Sequence, residues 1–196
     1  TVYDANGISA TDNIDITVTD APTADAGAAT DETCETTSYT VTDAAVTNSA
    51  GILWTHDGSG TITPGTEITI NPVYNPVAAD GGNVVTLTLT VSGNGSCAAA
   101  VDTKALTVTD GPTADAGLAD ETCEDTPFTV GDAAVTNSAG ILWTHDGSGS
   151  ISDGTTITPT YNPVAADGGN VVTLTLTVSG NGSCAAVMDT KALTVT

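Results

Sequence analysis

The sequence predicts an all-β fold built as β-sandwich domains in tandem, and three observations carry that reading. Threonine, valine, glycine and aspartate dominate the composition, a mixture that favours strands and turns over helices. The stretch from Val84 alternates strictly, with Val85, Leu87, Leu89 and Val91 on one face and Thr86, Thr88 and Thr90 on the other. That is the pattern of a strand with one face in a core and one in water. Long blocks also recur unchanged. "DAAVTNSAGILWTHDGSG" starts at Asp43 and again at Asp132, and "YNPVAADGGNVVTLTLTVSGNGSCAA" at Tyr74 and again at Tyr161.

The recurrences set the domain organisation. "PTADAG" opens both copies, at Pro22 and Pro112, so one repeat spans 20–109 and the next 110–196. "NGISATDNIDITVTD" at Asn6–Asp20 aligns with Asn94–Asp110, which makes residues 1–19 the C-terminal strands of a preceding, diverged repeat. The chain reads as a window on a longer array, and its start in mid-pattern without an initiator Met as a mature or excised segment.

Within each repeat the elements follow in order. "SYTVTDAAV" from Ser38, "GILWTH" from Gly51 and "TEITI" from Thr66 are short strand candidates. The long strand from Val84 comes next, and "KALTVT" from Lys104 places Leu106 and Val108 inside. "IDITVT" from Ile14 repeats that last pattern. Asp-Gly, Asn-Gly and Asn-Pro pairs punctuate the runs. About seven short strands in about 88 residues fit a β-sandwich of immunoglobulin-like type.

"GILWTHDGSG", at Gly51–Gly60 and Gly140–Gly149, holds both tryptophans and both histidines of the chain. A histidine beside an aspartate and near a serine raises the question of catalysis. A triad needs a base held between a nucleophile and an orienting acid. Strand neighbours point to opposite faces, so His56 and Asp57 do not meet easily, and Ser59 lies in a Gly-flanked turn with nothing to shape an oxyanion hole. The structural reading is stronger. Ile52 and Trp54 share a face, so Trp54 and Trp143 plug the space between two sheets on the third strand, and Asp57-Gly58 starts a turn.

A tryptophan strand ending in a Gly-rich turn and preceded by "ADAG" resembles the polycystic kidney disease (PKD) domain. The fuller pattern "ADAG…C…W…GSG…YNP…AADGGNVVTLTLT…NGSC…LTVT" is similar to the PKD-like repeats of large Bacteroidetes-type cell-surface adhesins. The resemblance spans both full repeats and the N-terminal remnant. It departs in the third strand, where PKD domains carry Trp-Asp-Phe-Gly-Asp-Gly and this chain has "WTHDGSG". It implies an immunoglobulin-like fold, extracellular display, a spacer or adhesive role, and no enzymatic chemistry.

Each repeat has one pair of cysteines, and four cysteines permit three pairings. Pairing within a repeat, Cys34–Cys97 and Cys123–Cys184, is expected because repeat units usually fold independently. Such a loop contributes roughly 4 kcal/mol in the chain-entropy model. Disulfides point to an oxidising, extracellular compartment. No second cysteine or histidine stands at ligand spacing, which disfavours a metal reading of the thiols.

Lysine plus arginine total 2 against 24 acidic residues, for a formal charge of −22. That balance argues against nucleic-acid binding and against anionic membrane surfaces. No apolar run approaches the roughly 18 residues of a membrane span. Most aspartates read as turn residues. The exception is a calcium clamp between repeats, with Asp80 near the linker acids Asp110 and Asp115 and with Asp20, Asp25 and Asp167 as in-phase candidates. Calcium is the only cofactor candidate. Asn94-Gly-Ser and Asn181-Gly-Ser match the glycosylation sequon, a weak three-residue signal.

The function expected is that of a non-catalytic extracellular structural protein, a segment of a repetitive adhesin, stalk or filament. Its partners would be neighbouring repeats or identical subunits in a fibre, with surface glycans as the adhesive ligand. Two alternatives stand beside it: a carbohydrate-binding or spacer module of a secreted enzyme, and a filament of separate subunits joined by strand complementation.

Overall fold

The computed structural model describes residues 1–196. The chain is all-β, and each repeat is an immunoglobulin-like sandwich. Residues 1–20 carry only a small hairpin, β1 (Val2–Tyr3) with β2 (Ser9–Ala10). The first repeat contributes β3 (Thr23–Asp25), β4 (Thr30–Cys34), β5 (Tyr39–Thr40), β6 (Ala45–Thr47) and β7 (Ser49–His56). It continues with β8 (Thr61–Ile62), β9 (Val73–Asn75), β10 (Val84–Gly93) and β11 (Ala100–Thr109). The second begins with β12 (Thr113–Asp115), β13 (Asp120–Thr122), β14 (Phe128–Thr129), β15 (Ala134–Thr136) and β16 (Gly140–His145). It ends with β17 (Ser150–Ser152), β18 (Thr160–Asn162), β19 (Val171–Ser179) and β20 (Val187–Val195).

One sheet of the first repeat runs β4-β11-β10-β7, matched in the second by β13-β20-β19-β16. The facing layer pairs β3 with β6 and β5-β9-β8, matched by β12-β15 and β14-β18-β17. The opening stretch of each repeat therefore serves both layers. β3 runs antiparallel to β6, and after Gly27 the chain crosses over so that β4 runs parallel to β11. Gly27 is required at that crossover: its φ is +86°, and a Cβ there would lie 2.2 Å from the Asp43 Cγ.

The alternation in β10 builds the core. Val85, Leu87, Leu89 and Val91 are buried against Trp54, Tyr74, Leu106 and Val108. The second core repeats this with Val172, Leu174, Leu176 and Val178 around Trp143 and Tyr161. No residue of one core belongs to the other, and none comes from residues 1–19. Trp54 sits opposite Leu89 across the β7–β10 pair, 2% exposed, with its indole N–H donating to the Thr69 carbonyl at 3.2 Å.

Two expected strands do not form. "TEITI" (66–70) is a run of turns, because the Glu67 carbonyl accepts from the Trp54 amide at 2.7 Å and the segment folds beneath the tryptophan strand. "IDITVT" (14–19) is not a strand either. Ile14, Ile16 and Val18 are 85%, 78% and 86% exposed, since no sheet is present for that alternating segment to complete.

The only lysines of the chain, Lys104 and Lys191, are buried on the inward face of β11 and β20. Lys104 Nζ lies 3.2 Å from Asp43 Oδ1, and Lys191 Nζ 2.9 Å from Asp132 Oδ1. Lys191 also donates to the Leu118 carbonyl. Every charged side chain left on the surface at neutral pH is therefore acidic.

Replacing Trp54 by Ala is expected to destabilise the first repeat by about 3–5 kcal/mol, the range for a buried aromatic. His56→Ala should cost much less. Denaturant melts of the full chain report this, and equal small effects would mean that the facing of β7 is wrong.

Candidate functional site: the junction between repeats

The junction starts from strand geometry. β4 runs parallel to β11 with Cys34 opposite Thr109, so Cys34 stands where the chain leaves the first repeat. The Glu35 amide donates to the Thr109 carbonyl at 3.0 Å, and the Glu35 carboxylate accepts from the Gly111 amide at 2.9 Å. From the second repeat, the Asn137 side-chain Nδ2 donates to the Gly111 carbonyl at 3.0 Å. The connection between β19 and β20 folds over the same linker. A Cβ on Gly182 would lie 3.2 Å from Thr109 Oγ1, and the Cys184 sulfur is 3.5 Å from the carbonyl oxygens of both Thr109 and Asp110.

These approaches bring Cys34 and Cys184 together in a disulfide, with Cα atoms 4.8 Å apart across 150 residues of sequence. The expected pairing within each repeat is therefore corrected. Cys34 lies beside the last residue of β11, and Cys97 lies in the connection that precedes its first residue. A ten-residue strand separates them by about 30 Å, against the 4.4–6.8 Å that a disulfide spans. Cys97 and Cys123 are free thiols.

The six acids considered for calcium do not converge, and no three His, Cys, Asp or Glu side chains gather to hold a metal. Asp80 is buried, and protein donors occupy its carboxylate. Ser59 N reaches Oδ1 at 2.6 Å, while Gly60 N, Tyr74 OH and Val77 N reach Oδ2 at 3.0, 2.9 and 3.1 Å. Asp167 repeats this with Ser148, Tyr161 and Val164. Both carboxylates hold turns of their own repeat through these bonds, and neither is gathered with other acids into a cation site. Asp25 and Asp115 accept from Gly27 and Gly117 in their own turns, and the Asp20 carbonyl lies 3.7 Å from the Cys97 sulfur. Asp110 does stand by the loop after Asp80. A Cβ on Gly81 would lie 2.2 Å from Asp110 Oδ1 and 2.6 Å from Glu35 Oε2.

The Trp-Thr-His-Asp-Gly-Ser-Gly stretch is held by the Asp80 carboxylate, through the amides of Ser59 and Gly60. Asp57 accepts from the Thr86 amide at 2.6 Å, and His56 packs on Tyr74 with ring centroids 4.9 Å apart. Ser59 contributes its backbone amide, with its side chain in solvent. Burial pushes the Asp80 carboxyl up, but the bonds from Ser59, Val77, Tyr74 and Gly60 outweigh it and hold it below the usual carboxylate range. Burial, then the bond to Asp80, pushes the Tyr74 hydroxyl up to about 12. Both residues lie in the block repeated unchanged, but no spacing rule marks them as partners. Asn94 donates its side-chain nitrogen to the Asn48 carbonyl at 2.9 Å, whereas Asn181 is exposed.

No family model matches the chain, and no curated protein matches it in sequence. Among solved structures it is similar to the titin domains z1z2 in complex with telethonin, at 15% identity over 92% of this chain and 98% of that one, with a TM-score of 0.34. Extracellular domains 3–5 of Drosophila OTK give 15% identity, coverages of 90% and 60%, and a TM-score of 0.44. An endo-fucoidan hydrolase of glycoside hydrolase family 107 gives 15% identity and a TM-score of 0.36, and covers 89% of this chain. The chain spans 28% of the length of that hydrolase. The fold assignment rests on the strand pairing described above. No helix is long and apolar enough to cross a membrane.

Asp80→Asn keeps one acceptor oxygen for the three donors to Oδ2 but sets its NH2 group against the Ser59 amide, and should destabilise the first repeat by about 1–3 kcal/mol at pH 7. The carboxyl is held below its ordinary value of 3.8, so its contribution is full above that pH and is lost as pH falls through the folded-state value. The variant should therefore show a shallower loss of stability on acidification, read by urea melts at pH 7 and pH 3. An unchanged acid dependence would contradict this role for Asp80.

Proposed function

We propose that the chain is a non-catalytic stretch of an extracellular stalk, adhesin or filament, in which immunoglobulin-like units are joined in series. The observation that carries the reading is the bond between Cys34 and Cys184, which ties the end of one repeat to the last hairpin of the next. A catalytic or binding domain needs no such tie, whereas an extended element needs a defined angle at each joint. The bond also supports an oxidising compartment outside the cytoplasm. An all-acidic surface suits a molecule that stays solvated and avoids nucleic acid and anionic lipid.

The alternative of a filament of separate subunits stands on the same segment. Ile16 and Val18 align with the buried Leu106 and Val108. They carry the inward face of a last strand, which a preceding repeat of the same polypeptide or, by strand complementation, a neighbouring subunit would cover. A carbohydrate-binding module has less support, because such modules stack sugars on exposed aromatic rings. Both tryptophans, Tyr74 and Tyr161 are buried, Tyr39 and Phe128 are partly buried, and Tyr3 alone is exposed.

Antibody against the chain should label thin extended structures on intact, unpermeabilised cells. Labelling that appears only after permeabilisation would contradict the proposal. Strong, selective signal on a glycan array would move the reading to the carbohydrate-binding module.

A further inference from the structure

We propose that Cys97 and Cys123 are the two open halves of the same bridge, and that each bonds a cysteine of an adjoining repeat of this kind. The proposal rests on the serial-repeat reading above and adds a rule: the cysteine on the early edge strand of one repeat bonds the cysteine in the last hairpin of the next.

The two repeats present equivalent residues in two circumstances, at the junction and at a free pole. Cys34 and Cys184 are 1% and 8% exposed, whereas their counterparts Cys123 and Cys97 are exposed and half-buried. Thr33 is buried and Glu35 half-buried at the junction, while Thr122 is half-buried and Glu124 exposed at the pole. Gly111 is buried, and its counterpart Ala21 is exposed.

The backbone around each free thiol already has the bonded form. The Cys97 amide donates to the Asn94 carbonyl at 3.1 Å, as Cys184 does to Asn181 at 3.0 Å. The Cys97 sulfur lies 3.4 and 3.7 Å from the carbonyl oxygens of Thr19 and Asp20, as the Cys184 sulfur lies 3.5 Å from those of Thr109 and Asp110. At the other pole, the Glu124 amide donates to the Thr196 carbonyl at 3.0 Å, as Glu35 does to Thr109 at 3.0 Å. A further repeat docked on the second as the second docks on the first would bring a sulfur to Cys123. A repeat ahead of the first would do the same for Cys97.

The chemistry is thiol–disulfide exchange with a small-molecule disulfide such as oxidised glutathione. The Cys123 thiolate attacks one glutathione sulfur and releases one glutathione thiol. The incoming cysteine thiolate then displaces the second. One protein S–S bond forms, and the two electrons and two protons of the protein thiols pass to glutathione as two thiols.

The test appends a second copy of residues 110–196 after Thr196 of the full chain, with Thr122→Ser and Met188→Leu in the appended copy so that its two cysteine peptides differ in mass from the originals. The protein is folded in a glutathione redox buffer, free thiols are alkylated, and disulfide-linked peptides are identified by mass spectrometry without reduction. The expected result is Cys34 bonded to Cys184, Cys123 bonded to the appended counterpart of Cys184, and Cys97 alkylated. A Cys123→Ser version should leave that appended counterpart alkylated while Cys34–Cys184 persists, which separates the rule from a folding failure. Cys34–Cys184 intact with Cys123 alkylated, or bonded to Cys97, would overturn the proposal alone. Loss of Cys34–Cys184 in both versions would overturn the serial reading and the proposal together.

Discussion

The bond between Cys34 and Cys184 is the constraint on which the arrangement of the repeats depends. Each sandwich has its own core, and the linker between β11 and β12 is short. Without the bond the joint would rest on a few hydrogen bonds around Thr109, Asp110 and Gly111. With it, the strands from β5 to β19 lie inside one covalent loop, which a pull applied along the chain cannot extend while the bond is intact. The bond forms between repeats, because strands of nine or ten residues put the two cysteines of one repeat at opposite poles. Strand length thus decides which cysteines meet, and that decides whether the product is a closed domain or a linked series.

Electrostatics explains why a covalent joint suits this chain. The formal charge is −22, and both lysines are spent inside the sandwiches against Asp43 and Asp132. No cation remains to bridge repeats across the junction, where Glu35 and Asp110 both crowd Gly81. Like charges on successive units repel and favour an extended form, and salt screens that repulsion. A disulfide holds the joint at any ionic strength. The buried lysines carry a different burden: each pairs with an exposed aspartate at the sandwich edge, and removing that aspartate would leave a buried ammonium without its ion partner.

The repeat and the strand alternation were legible because they depend on local pattern. The facing of Val85 through Val91, the burial of Trp54 and Trp143 and the inward Leu106 and Val108 all followed from period two. What stayed hidden depends on contacts distant in sequence. Lys104 shares the parity of Leu106 and Val108, yet its charge argues for the surface until Asp43 is seen beside it. Asp80 reads as a turn acid available to calcium, because only the fold brings Ser59, Gly60, Tyr74 and Val77 to its oxygens. The cysteine pairing was misread on the assumption that repeats are self-contained. The alternation shows only the half of β11 from Lys104 on; its full length, Ala100–Thr109, separates Cys34 from Cys97 once β4 is known to run parallel to it.

The measurement that tests this account most directly is disulfide mapping of the 196-residue chain, oxidised, alkylated and digested without reduction. The account predicts one cross-linked peptide pair joining Cys34 to Cys184, with Cys97 and Cys123 alkylated. Cross-links joining Cys34 to Cys97 and Cys123 to Cys184 would contradict it, because they would close each repeat on itself and leave the junction without its bond.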